Sequence, residues 1–164
     1  MKKIISLIIA TVVILGAFGM IASAAVDKYF MLAQVDNKTL FVNGGSVDFD
    51  PVNPAVVPAM DEEGTVFVPV RMVVGAAGGW VGWVAEENKV ELLYNGVSIS
   101  FVVGSTEITV GEEKVELAKA PYIENDRTLV PLGFFEECMK GSASFDMDTN
   151  TAMIAFETTV YAAG

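Results

Sequence analysis

The feature that most constrains this chain is a stretch that occurs twice. Residues 66–94, VFVPVRMVVGAAGGWVGWVAEENKVELLY, return without a gap as residues 128–156, TLVPLGFFEECMKGSASFDMDTNTAMIAF. Pro69 matches Pro131 and Asn88 matches Asn150, in both cases 62 positions on. A repeat of this kind defines the structural unit before any residue is given a role, because both copies must bury the same apolar positions. The unit reads as strand, proline, short helix, strand, turn, strand.

Upstream of each copy lie further strand signals. Tyr29 to Gln34 and Thr39 to Val42 flank the Asp36-Asn37 turn, and Asn43-Gly44-Gly45 leads into Ser46 to Phe49 as a hairpin. Glu107 to Val110, a turn at Gly111-Glu112-Glu113 and Lys114 to Leu117 are the counterpart. Val42 to Pro69 covers 27 positions and Val110 to Pro131 covers 21, so copy one carries a six-residue insertion in the loop Asp50 to Gly64. Loop length is a tolerable change. Pro69 and Pro131 are placed to start helices, over about 70–77 and 132–140, since the first helical N–H lacks a partner anyway. Gly78-Gly79 and Gly141 end them. Helices this short must be held by packing. Hairpins follow, Trp80 to Ala85 with Lys89 to Tyr94 and Ser142 to Met147 with Thr151 to Phe156, while Asn95-Gly96 turns the chain into Val97 to Val103. The expected fold is α+β: two pseudo-repeats, about 39–94 and 106–156, of antiparallel hairpins with one proline-started helix each, sheet packed on helices.

Residues 1–24 read as a secretory signal peptide, with Lys2 and Lys3, an apolar run from Ile4 to about Ile21, and Ala22-Ser23-Ala24 as the cleavage site. The alternative is a retained membrane anchor, because the run approaches the roughly 20 residues that span a bilayer. Contact with a membrane is expected only through this segment. Residues 25–164 suit a single domain. Removing the leader leaves eight basic residues against 21 acidic ones, a net charge of −13, which argues against nucleic acid as a partner. The lone Cys138 has no partner for an intramolecular disulfide, so the core must hold the domain. With no histidine to activate it and Glu136 and Glu137 beside it, Cys138 reads as a small buried thiol.

The segments Val42-Asn43-Gly44, Val68-Pro69-Val70-Arg71, Gly79 with Val81 and Trp83, Val90 to Leu92, Asn125 to Leu132 and Asn150-Thr151 resemble the copper amine oxidase N-terminal-like, or stalk, domain, over roughly residues 38–156. The resemblance implies an exported, non-catalytic module of Gram-positive, spore-forming relatives, commonly beside a catalytic or wall-anchoring domain. Gly133 stands where that family usually has a second arginine, and Phe145 where it usually has tryptophan.

Copper itself is not expected, nor any other cofactor, because type-2 copper is held mostly by imidazole and the chain has no histidine. The same absence removes Ser-His-Asp and Cys-His catalysis. A carboxylate-dependent hydrolase stays open on composition alone. Asp146, Asp148 and Asn150 alternate as in a calcium loop, with Glu157 eleven positions after Asp146, but Thr151 stands where that loop needs glycine, so a plain hairpin turn explains the same residues. Asp61-Glu62-Glu63 reads as a solvated loop. Trp83 shares a strand face with Val81 and is expected in the core, whereas Trp80 points the other way as a contact candidate. Arg71 opens the first helix, where the helix dipole disfavours a cation, so a buried pair with an acid is expected to account for it, with ligand binding as the alternative.

The function expected is an interaction module, secreted or at the cell surface, that binds a cell-wall or other extracellular polymer or protein. Self-association into a structural subunit by edge-strand addition is the alternative, with Thr39 to Val42 and Thr159 to Tyr161 as donors.

Overall fold

Turn chemistry sets the strand order. Asn43-Gly44, Asn95-Gly96 and Asn125-Asp126 each place both central residues at positive φ (49° and 85°, 49° and 76°, 51° and 61°), the turn whose twist matches antiparallel strands. A computed structural model of the protein describes residues 25–160, so the expected leader and the last four residues lie outside it. Residues 27–158 form one compact unit; of the other, residues 1–26 and 159–164, only the strand ends at 25–26 and 159–160 are described.

In chain order the elements are β1 (Ala25–Gln34), β2 (Thr39–Val42), β3 (Gly45–Asp48), β4 (Ala59–Met60), β5 (Val66–Pro69), α1 (Val70–Ala76), β6 (Trp80–Val84), β7 (Lys89–Tyr94), β8 (Val97–Val102), β9 (Glu107–Val110), β10 (Glu113–Glu116), β11 (Tyr122–Glu124), β12 (Arg127–Pro131), α2 (Gly133–Glu137), β13 (Ser142–Asp146) and β14 (Thr151–Val160). They make three sheets, ordered β13-β14-β1-β2-β3, β10-β9-β8-β7-β6 and β11-β12-β5-β4. The chain is thus mostly antiparallel β with two short helices among the described residues, α+β in the broad sense. No helix among them is long and apolar enough to cross a membrane.

The third sheet joins the two Val-Pro segments. Val130 pairs with Val68, Pro131 with Phe67 and Leu129 with Pro69, and the Leu132 N–H donates to the Val66 carbonyl at 2.9 Å. Hydrogen-bonded pairs alternate with non-bonded ones in an antiparallel ladder. Counting from the Leu132–Val66 bond, both prolines fall at pairs that exchange no bond, and each lies two residues past the last outer pair, at Phe67 with β4 and Leu129 with β11. The missing proline N–H therefore breaks no ladder. Pro69 both ends β5 and caps α1, which begins at Val70 as expected, whereas Pro131 ends β12 with Leu132 between it and α2, one residue later than expected. Helix α2 is also shorter than expected, ending at Glu137.

Neither helix has a side-chain cap. They are held by burial of Val70, Val73 and Val74 in α1 and of Phe134 and Phe135 in α2. Phe134 packs edge-on to Phe101 at 5.6 Å and to Phe135 at 5.7 Å; Phe135 meets Phe156 at 6.0 Å, and Phe156 meets Tyr94 at 5.4 Å. This chain of rings ties α2 to the sheets that hold β7, β8 and β14. Strand β2 lies between β1 and β3, so Thr39 to Val42 has no free edge to offer, in contrast to the expectation. Residues 159–160 end β14, and Tyr161 lies outside the described residues.

Glycine follows both helices for a steric reason. A Cβ on Gly79 would stand 2.6 Å from Val74 Cγ1 and 2.9 Å from the Leu93 carbonyl; on Gly141 it would stand 2.7 Å from the Phe156 ring and 2.8 Å from the Ala155 carbonyl. Gly75, inside α1, faces open space. In thermal or denaturant unfolding, Gly79→Ala and Gly141→Ala should each destabilise by about 1–3 kcal/mol through overpacking. Gly75→Ala should stabilise by about 0.5–1 kcal/mol through helix propensity.

Candidate functional site

The loop that carries the six-residue insertion lines one side of a cleft of about 460 Å³. Val56 comes from that loop and Phe49 and Asp50 from where the chain enters it, Arg71 and Met72 from α1, Trp83 from β6, Asp126 from the hairpin turn ahead of β12 and Arg127 from the start of β12.

Asp50 is the buried charge that fixes the loop. Its Oδ1 accepts the Val52 and Asn53 N–H groups, both at 2.9 Å, and its Oδ2 accepts Arg127 Nε at 2.6 Å. The two backbone donors, and then Arg127, hold this carboxyl below its usual range against the opposing effect of burial. Asn53 Nδ2 donates to the Asn125 carbonyl and Asn125 Nδ2 to the Ala55 carbonyl, so the loop is stapled to the 125–126 turn. Arg127 also donates from Nη1 to the Asp126 carbonyl at 2.9 Å, while its Nη2 has no acceptor among the described residues.

Arg71 departs from expectation. Instead of a buried pair with an acid, the side chain is exposed and makes one long bond, Nη1 to the Val81 carbonyl at 3.4 Å. Of the eight basic residues in the described region, six are ion-paired; Arg71 and Lys140 are not. Trp83 departs as well: it is 41% exposed on the cleft wall rather than in the core, because β6 is an edge strand whose Val81 is buried while the indole two residues on is left open. Trp80 faces outward at 61% exposure, its ring over Gly82, and does not line the cleft.

A second, smaller cleft of about 270 Å³ is lined at matching positions. Pro131, Leu132, Gly133 and Phe145 stand 62 residues after Pro69, Val70, Arg71 and Trp83, and Gly64 and Thr65 stand 62 before Asp126 and Arg127. Leu117 and Ala118 follow Phe49 and Asp50 by 68, the spacing of the two upstream hairpins. The second cleft has neither arginine nor tryptophan, and Ala118 stands at the position of Asp50; its charged groups are Lys119 and Glu137.

The remaining sequence candidates do not assemble. Asp146 Oδ1 accepts the Asp148 N–H and its Oδ2 the Thr149 hydroxyl, both at 2.9 Å, which lowers the Asp146 pKa with the hydroxyl as the larger cause. Asn150 is left-handed at φ 52°, closing the turn, and Glu157 pairs with Lys28 at 2.9 Å on β1. Asp61 and Glu63 are bridged by Lys119, at 3.5 and 2.5 Å. No group of three or more His, Cys, Asp or Glu among the described residues is placed to hold a metal ion. Cys138 is buried, and burial, then the neighbouring Glu137, pushes its thiol up to about 12. The Asp50–Arg127 pair has no local signal in the sequence, its members standing 77 positions apart.

The model of a family described as copper amine oxidase N-terminal domain matches residues 41–154. No curated protein and no solved structure matches the chain. The donor set does not fit the copper of that description, since the chain has no histidine and its one cysteine is a buried, protonated thiol.

Because the folded pKa of Asp50 is depressed, its contribution to stability is present above the unfolded value of about 3.9 and is lost as pH falls through the folded value. Asp50→Asn should therefore lower the melting temperature at pH 7, with the gap to wild type closing as the pH drops below about 4. Cys138 should resist a thiol-reactive dye at pH 8 in the folded protein and react fully once denatured.

Proposed function

The chain belongs to the copper amine oxidase N-terminal domain family, and we propose that it is an exported, non-catalytic interaction module of the cell envelope that binds an extracellular polymer or protein. The N-terminal domain of the family is a non-catalytic module, which supports this reading. The observation that carries it is the first cleft: an arginine without a carboxylate partner and a half-exposed tryptophan on one wall, in a chain with no histidine for acid–base or nucleophilic work. Such a cleft suits holding a ligand.

We also read the domain as two pseudo-repeats. Supporting this, β6 and β13 begin 62 residues apart, Asn88 and Asn150 are both left-handed, and Val68 pairs with its own counterpart Val130. The Val103 N–H donates to the Asn88 carbonyl, as Val35 N–H does to that of Asn150, both at 2.9 Å. On this reading β1, β2 and β3 of copy one complete the sheet begun by β13 and β14 of copy two.

Sedimentation of the exported chain with and without purified Gram-positive cell wall tests the function. It should pellet only with the wall. Pelleting alone would replace the reading with self-association, and remaining soluble with the wall would remove the cell-wall partner.

A further inference from the structure

The two clefts are an experiment the molecule has already performed on itself. They occupy matching positions around the paired strands β5 and β12, so what both share is what the fold requires: proline, the following apolar residue, an aromatic on the edge strand, and an apolar residue from the upstream hairpin. The first cleft differs in Arg71, Arg127, Asp126 and the indole of Trp83, where the second has Gly133, Thr65, Gly64 and the phenyl of Phe145. Arg127 serves the fold by pairing with Asp50, and the second cleft's own cation, Lys119, is engaged by Asp61 and Glu63, which leaves Arg71, Asp126 and Trp83 as the groups the fold does not require.

Charge makes the difference informative. In a chain with 21 acidic and ten basic residues, a solvent-facing arginine has carboxylates to choose from, yet Arg71 reaches only a carbonyl. Arg127 is held by Asp50 through Nε and by the Asp126 carbonyl through Nη1, which fixes its plane and leaves Nη2 unspent. Two guanidinium groups on one cleft, one immobilised and one free, suit an anionic group that accepts forked hydrogen bonds, a carboxylate or a phosphate. Trp83 supplies a broad apolar face, and the carboxylate of Asp126, also in the lining, is an acceptor suited to hydroxyl groups, which a bare inorganic anion lacks.

We infer that the first cleft binds an acidic saccharide unit, its carboxylate or phosphate on Arg71 and Arg127 and its ring on Trp83. This deepens the binding-module reading and rests on it, but not on where the chain resides.

The test is isothermal titration of the full chain with three probes: an oligogalacturonate, the same oligomer methyl-esterified to remove its charge, and a phosphorylated oligosaccharide. One of the charged probes should bind, more weakly as salt rises from about 50 to about 500 mM, and the ester should not. Which charged probe binds identifies the carboxylate or phosphate source. Arg71→Gln, at an exposed position, should leave the melting temperature unchanged and weaken binding by roughly tenfold or more. Trp83→Phe, which installs the residue type of the second cleft, should weaken it severalfold. Equal binding of the ester, unchanged affinity in Arg71→Gln, or no binding of either charged probe overturns the inference. Saccharide binding without sedimentation on cell wall would retain the cleft and remove the wall; wall binding that survives Arg71→Gln would do the reverse.

Discussion

The register of β5 against β12 is the constraint on which the rest depends. It sets Val68 opposite Val130 and puts both prolines at pairs that exchange no hydrogen bond. Both faces of β5 are buried, so burial alone does not fix the register; a slip of one residue would instead bring the prolines into bonded positions, which is what specifies it. Each strand then runs straight into a helix at its proline end. That one junction carries the helices to their apolar contacts, Val73 and Val74 on one side and Phe134 and Phe135 on the other. It also sets the positions of both clefts, since Pro69 lines the first and Pro131 the second.

A second constraint follows from how the sheets close. Strand β1 stands between β14 and β2, so the sheet contains both the earliest and the latest strands described. The Lys28–Glu157 pair at one end and the Val35 N–H to Asn150 bond at the other mark an antiparallel pairing across nearly the whole chain. The exposed ion pair adds little to stability. The hydrophobic continuity beneath it matters more: Met31 and Ala33 of β1 are buried in the same core as Ile154 and Phe156 of β14. Closing so long a loop is entropically unfavourable, which predisposes this sheet to form late in folding.

Much of the scaffold was legible in the sequence because turns and periodicity are local. Asn-Gly at 43–44 and 95–96 announced hairpins, and the 62-residue offset gave β6, β7 and β13 nearly to the residue. The strands β4 and β11, of two and three residues, were missed because so short a segment shows no alternation. The prolines announce the helix starts but not the ladder they close, since only the non-local pairing of β5 with β12 places them at its ends. Of the site, Arg71 was visible as a residue out of place on a helix, but its lack of a partner was not. Trp83 was assigned to the core from its strand face, which is correct for Val81 and fails two residues on, where the cover ends. Asp50 and Arg127 meet through a loop whose path no local pattern encodes.

On the proposed reading of two pseudo-repeats, the asymmetry between the clefts has a rationale. A single copy would have to satisfy stability and binding with the same residues, and an exposed arginine with no carboxylate partner contributes little to stability. With two copies joined at one ladder, the tasks separate. The second cleft keeps Gly133 beside Glu137 and the smaller Phe145, and its helix places Phe134 and Phe135 at the centre of the aromatic chain. The first keeps the smaller Met72 and Val73 at those two helical positions, while its longer loop folds Asp50 beneath Arg127. The aromatic bulk therefore lies with α2 and the unpaired Arg71 with α1. On this reading their common ladder lets the first cleft hold an unpaired charge over a core to which both copies contribute.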